Sequence, residues 1–184
     1  MNPGRSLSIQ LISIYFALFQ TGFKMAIYYK TMASPIGVLK LESDEKTLRS
    51  ISFDAQIMSD EQAVPDILIS AQNQLDEYFA GSRRIFDVAI APVGTEFQQR
   101  VWTRVAAVGF GSTKSYVEIA REVNSQDSSR AVGMANGKNP LPIIIPCHRI
   151  IGQNGKLTGY AGGLDRKKWL LLHEQKFSGS GRLF

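Results

Sequence analysis

Cysteine and histidine are nearly missing from this chain of 184 residues: one cysteine, Cys147, and two histidines, His148 and His173. A lone thiol rules out an internal disulfide framework. It also rules out any zinc site that needs several cysteines, and two histidines argue against a structural metal. Free thiol chemistry without crosslinks suits a reducing, intracellular compartment, so a cytoplasmic location is expected. Charge is missing from Ser6 to Phe23, where "LSIQLISIYFALF" is mostly apolar. Arg5 ahead of it resembles the positive start of a signal peptide, but no small-x-small cleavage pattern follows. As a membrane span the stretch is marginal in length and broken by Gln10 and Gln20. The favoured expectation is that residues 1–24 are translated upstream sequence and the chain proper starts at Met25. Export, a membrane role or an ordinary buried segment are the alternatives.

What is present is ordinary in bulk and uneven in distribution. A hydrophobic content of 44% and a charged content of 20% describe a soluble globular protein with enough length for a real core. The net charge of +5 is lopsided. Residues 1–93 hold 8 Lys/Arg against 10 Asp/Glu, and residues 94–184 hold 13 against 6. A basic C-terminal half is what a phosphate-binding surface would look like, although many basic faces are simply solvated.

Short runs rich in β-formers follow Met25: "AIYYKTM", then "IGVLKLE" after the turn Ser34-Pro35-Ile36-Gly37, then "LRSISF". They predict a small antiparallel sheet. Leu68, Ala71, Leu75 and Phe79 fall on one helical stripe that Gly81 should stop, and this helix reads as core and scaffold. "RRIFDVAIAPVG" is a further strand or a linker, with a domain boundary near Pro92–Gly94, giving parts 25–92 and 93–184. In the second part Thr95-Glu96-Phe97-Gln98 has the capping-box form, and Phe97, Val101 and Val105 share a helical face, with Gly109 and Gly111 ending that helix. Ser115-Tyr116-Val117-Glu118 is a second capping box. A polar turn, "NSQDS", leads to a second short helix, "SRAVGMANG". Two short helices across a brief turn in a basic half match a helix-turn-helix, although many helical hairpins bind nothing. The second helix carries Ala131, Gly133 and Ala135. A helical glycine costs about 1 kcal/mol against alanine, which either tight packing inside the protein or close approach to a nucleic-acid groove, with Arg130 at the helix start, would offset.

Cys147 stands in "NPLPIIIPCHRIIG", where Pro140, Pro142 and Pro146 restrict the backbone and set its position. Burial as a small apolar residue is the bland reading. The reactive one needs a thiolate, hence a thiol pKa brought below about 8.5. His148 is the obvious base. On an extended segment, however, its side chain points away from that of Cys147, so a bridging water is expected. The imidazole would need a carboxylate to fix its tautomer; Glu174, Glu118 and Asp165 all qualify from sequence.

"RAVGMANGKNPLPIIIPCHRIIGQNGKLTGYAGGLDRKKWLLLHE" resembles the signature region of the O6-alkylguanine-DNA alkyltransferases, the methylated-DNA–protein-cysteine methyltransferases. PCHR stands in register with RAVG, NP and GYAGG, and the likeness runs from about Thr95 to Glu174. "SPIGVLKLE" and "LDEYFAG" resemble the family more loosely, and residues 1–24 match nothing in its pattern. The resemblance implies an α+β fold in two parts: a small ribonuclease-H-like sheet with a helix, then a helical, winged-helix-like domain with the helix-turn-helix. It implies a single-turnover DNA repair protein. Alkyl groups would pass irreversibly from O6-alkylguanine, and from O4-alkylthymine, to Cys147. His148, a water and Glu174 would form the relay, Asn139 would brace the turn, and Tyr116 would assist protonation of the departing guanine. Arg130 would enter the base stack, joined in DNA contact by Ser115, Tyr116, Ala131 and Gly133. Pro142, Ile150 and Tyr160 would surround the base. Duplex DNA would be met in the minor groove by a monomer, with no metal, cofactor or membrane partner. The chemistry agrees: the target lies inside the duplex and must be flipped out, and a thioether is too stable to reverse. A thiol hydrolase would leave the helix-turn-helix and Arg130 without a purpose. A non-repairing relative would lack Cys147, and a methyl-accepting zinc regulator would need more cysteines.

Overall fold

The computed structural model describes residues 26–53, 55–57, 63–123 and 129–179. The expected extension before Met25 and the "NSQDS" turn lie outside the described residues. Three strands, β1 (Tyr28–Met32), β2 (Leu39–Ser43) and β3 (Leu48–Ser52), form an antiparallel sheet in the order β1-β2-β3. Alternation decides which face is buried: Leu39 and Leu41 point into the core while Lys40 and Glu42 stay half-exposed and pair with each other at 3.2 Å. Ile90 lies parallel beside Leu48, so the segment expected as strand or linker makes one bridge to the sheet edge. Helix α1 (Asp66–Phe79) packs on this sheet through Leu68, Ala71, Leu75 and Tyr78. Gly81, at φ +80°, ends it where Phe177 would clash with any Cβ, 2.4 Å away.

The remaining elements are α2 (Glu96–Ala106), β4 (Lys114–Ser115), α3 (Tyr116–Glu122), α4 (Ser129–Gly137), a single 3-10 turn (Cys147–Arg149), β5 (Ile150–Ile151) and α5 (Leu164–Ser178). Both expected capping boxes are complete, with Thr95 and Gln98 opening α2 and Ser115 and Glu118 opening α3. Helix α2 stops at Ala106, before the two glycines expected to end it. Helices α2, α3 and α4 pack together, and β4 pairs with β5 in parallel, Lys114 against Ile150 and Ser115 against Ile151. That pairing is what sets the start of α3 beside the cysteine turn.

One buried apolar cluster runs through both parts, from Leu39, Leu41 and Tyr78 to Val132, Ile143 and Leu170. Polar links cross the same boundary: the Ile51 N–H donates to Pro140 O at 2.8 Å, and the Arg166 guanidinium donates to Ile36 O at 2.7 Å. No helix among the described residues is long and apolar enough to cross a membrane.

Candidate active site

Cys147 is buried, 4% exposed, at the start of the 3-10 turn. Its backbone is tied at both ends: its N–H donates to Ile145 O at 2.7 Å and its C=O accepts from Asn136 Nδ2 at 3.2 Å. The approach to this turn is held by Asn139. Its Nδ2 donates to Ile145 O at 2.7 Å and its Oδ1 accepts the Leu141 N–H at 3.0 Å. Between those two anchors Ile143 sits at φ 76°, a left-handed conformation that costs a β-branched residue about 1–3 kcal/mol. Asn139 and the fully buried surroundings of Ile143 hold that strain in place.

The turn also corrects one expectation. Residues 147–149 are not extended, so the alternation argument about His148 does not apply. His148 is fully buried, and its Nε2 lies 2.8 Å from Glu174 Oε1. The competing carboxylates are elsewhere: Glu118 accepts the Ser115 N–H at 2.7 Å within the capping box, and Asp165 is exposed in the first turn of α5. Glu174 is itself fully buried and surrounded by donors. Oε1 accepts from Tyr78 Oη at 2.9 Å and Arg149 Nη2 at 2.9 Å, while Oε2 accepts from Arg149 Nε at 2.9 Å and the Gly111 N–H at 3.0 Å. Burial alone would push its pKa up, but His148 and the Arg149 guanidinium hold the carboxyl well below the usual range. An ionised Glu174 can only accept, so His148 Nε2 carries the proton. His148 Nδ1, buried and without a partner among the described residues, therefore presents a lone pair. Burial keeps the imidazole pKa below its ordinary value despite Glu174, so the ring is neutral near pH 7.

The thiol runs against the expectation of a lowered pKa. Burial pushes Cys147 up to about 11, against smaller opposing effects from Asn139 and the Lys167 ammonium. At neutral pH about one molecule in ten thousand would hold a thiolate. The thiol is thus neutral at rest, and the imidazole that follows it in the chain is neutral and oriented by Glu174.

A cleft of about 480 Å³ is lined by Tyr116, Arg130, Gly133, Met134, Thr158 and Tyr160, among others; Cys147 and His148 do not line it, although Tyr116 and Tyr160 lie close enough to feel a charge on Cys147. Tyr116 opens α3, and its hydroxyl donates to Thr158 O at 3.3 Å. Burial raises its pKa, as it does for Tyr160, and a charge on Cys147 would raise both further. The Tyr160 hydroxyl is buried without a partner among the described residues. Arg130 is exposed at the rim. Pro142 and Ile150 do not line the cleft: both are buried, Ile150 fully, within the core. Ser115 is buried too, and its hydroxyl is engaged with Glu118. Ala131 is half-buried on α4. Sequence reading missed Tyr78, Arg149, Asn136 and Lys167. Lys167 is fully buried and donates to Ile150 O at 2.6 Å and Thr158 O at 2.8 Å, with burial bringing its pKa down to about 8. Arg149 had a signal in its place within PCHR, and Asn136 and Lys167 stand within the same quoted region; Tyr78 meets Glu174 across 96 positions.

Two family models match the chain: the 6-O-methylguanine DNA methyltransferase DNA-binding domain over residues 96–176, and the ribonuclease-like domain of the same proteins over residues 27–92. The methylated-DNA–protein-cysteine methyltransferase of Methanosarcina acetivorans is 47% identical over 152 residues, covering 79% of this chain and 96% of that protein. Its namesake from Mycolicibacterium paratuberculosis is 43% identical over 156 residues, covering 83% and 94%. Among solved structures, the Mycobacterium tuberculosis O6-methylguanine methyltransferase aligns with a TM-score of 0.74 at 42% identity, over 85% of this chain and 96% of that one. The same organism's OGT in complex with DNA aligns with a TM-score of 0.74 at 44% identity, over 81% and 93%.

Proposed function

This chain belongs to the 6-O-methylguanine DNA methyltransferase family and is a DNA repair methyltransferase that moves alkyl groups from DNA to a cysteine; from that premise we propose that Cys147 is the acceptor and O6-alkylguanine the donor. O4-alkylthymine, with its alkyl group on an equivalent oxygen, is a second donor. The observation that carries this reading is the buried Cys147 followed directly in the 3-10 turn by a neutral His148, whose Nε2 is engaged by Glu174 and whose Nδ1 meets no partner among the described residues. As sulfur attacks the alkyl carbon, the thiol proton passes to Nδ1, directly or through a water. An S–C bond forms, the C–O6 bond breaks, and its electron pair stays on oxygen. Tyr116, whose raised pKa keeps it protonated, donates a hydrogen bond to the departing guanine, whose anion takes its proton from solvent while His148 returns the thiol proton to solvent. The product is a thioether, which no residue here can reverse, so each molecule acts once.

The base reaches the cleft by leaving the duplex, with Arg130 taking its place in the stack and α4 lying in the minor groove. The basic C-terminal half and the thin, Gly133-bearing face of α4 support that docking. The protein acts as a monomer, and a thiol that must stay reduced fits the cytoplasm. The test is mass spectrometry after incubation with an alkylated duplex. One alkyl group should appear on the peptide holding Cys147, at one per molecule, and Cys147→Ala should gain none. Sustained turnover with unmodified Cys147 would end the proposal.

A further inference from the structure

We propose that Tyr78 is a positioning residue of the proton relay, through which the N-terminal part holds Glu174 in line with His148. The inference rests on the relay reading given above. Tyr78 lies in the last turn of α1, fully buried, and its hydroxyl donates to Glu174 Oε1 at 2.9 Å. That is the same oxygen that accepts from His148 Nε2 at 2.8 Å. Its backbone carbonyl also faces His173 Nε2 at 2.8 Å, so Tyr78 meets α5 at two points one residue apart. The ring is walled in by Phe79, Phe86, Phe110 and His173, with centroids 5.2–6.1 Å away. Phe110 precedes Gly111, whose N–H holds the other Glu174 oxygen.

A phenylalanine would fill this space without burying a hydroxyl, and a buried hydroxyl is costly unless it is bonded. Its one partner here is the relay carboxylate. With Tyr78, His148 and Arg149 all donating to Oε1, the carboxylate plane is fixed toward His148. Without the tyrosine, the carboxylate can turn toward Arg149, and His148 loses the contact that sets its tautomer. The titratable and charged groups facing Glu174 are Tyr78 from α1, His148 and Arg149 from the 3-10 turn, and His173 from α5 itself.

The experiment is Tyr78→Phe in the full chain, assayed by single-turnover transfer from alkylated duplex and from free O6-benzylguanine between pH about 6 and about 9. Transfer should slow roughly tenfold near neutrality on both substrates, about what 1.4 kcal/mol of transition-state stabilisation gives. The deficit should shrink as pH rises, because hydroxide then takes the thiol proton without the relay. DNA affinity should not change. In a Glu174→Gln background, Tyr78→Phe should add little. A normal rate, or a deficit equal at every pH, would overturn the proposal, as would a full multiplicative loss in the double variant. If Glu174→Gln by itself leaves transfer untouched, the relay reading fails; if that variant is slow and Tyr78→Phe is not, only the role of Tyr78 fails.

Discussion

A thiol pushed up to about 11 by burial changes what the base must do. In the proposed mechanism His148, its pKa kept below the ordinary value by burial, holds no standing thiolate; it takes the proton as the S–C bond forms. In the wild type the rate of transfer should therefore be flat through neutrality and fall only where His148 becomes protonated. Without the base, thiolate must come from solvent. His148→Ala should be slow at pH 7 and gain about tenfold per pH unit until the thiol itself titrates. Glu174→Gln should behave similarly, and the double variant should cost little more than either, since groups acting as a unit are not additive. Circular dichroism checks the fold of each variant. A rate in His148→Ala that stays flat with pH would show that some other group takes the proton. The cysteine, the histidine and a carboxylate were all legible in the chain. The direction of the thiol's shift was not, because it depends on how completely the surrounding chain buries the sulfur.

Helices legible from local rules formed where those rules put them. Thr95 with Gln98 and Ser115 with Glu118 are contacts within one turn, and the side chains that make them are visible at a glance. The 3-10 turn at Cys147 was read as extended because what bends it is not local chemistry alone: Asn136 from α4 and the Asn139 brace fix its approach. Helix α4 separates the two explanations offered for its small residues. Ala135 is packed, its carbonyl accepting from Trp102 Nε1 at 2.9 Å. At Gly133, however, a Cβ would come no closer than 3.7 Å to Tyr116, an ordinary contact. Internal packing thus explains Ala135 and leaves Gly133 to an outside surface. Gly133→Ala should melt no lower than wild type, and up to about 1 kcal/mol more stably from helix propensity. It should bind duplex DNA at least roughly fivefold more weakly, the lower end of what overpacking a close contact costs. Thermal melting and a titration at fixed salt check both. Unchanged affinity in a well-folded variant would mean that this face of α4 does not meet DNA.

Over the whole molecule, the division into a sheet part and a helical part was legible, yet the site is not confined to the second. Tyr78 and Glu174 are separated by 96 positions, a distance at which no periodicity or cap can speak. The consequence is that the proposed relay and the joint between the two parts share one buried cluster: Glu174, Arg149, His148 and the Tyr78 hydroxyl. The stability of the fold should then follow the titration of the site. The Glu174 carboxyl is held well below its ordinary 4.5, so its contribution is complete above that pH and lost as pH falls toward its folded value. Burial depresses His148 and His173 below 6.5, so the folded state is favoured above that pH and penalised as protonation is forced on the rings. Both effects have the same sign. The melting temperature should be highest above pH about 6.5, decline below it, and decline again below about 4.5. Glu174→Gln should melt lower at neutral pH, because it leaves the Arg149 guanidinium without its buried counter-charge. It should also shrink the second decline, leaving the part contributed by Asp44, Glu42 and Glu118, whose carboxyls are likewise held below their ordinary values. Calorimetry across that range checks the shape. A Glu174→Gln curve whose lower decline is as large as that of the wild type would detach the stability of the joint from the chemistry of the site.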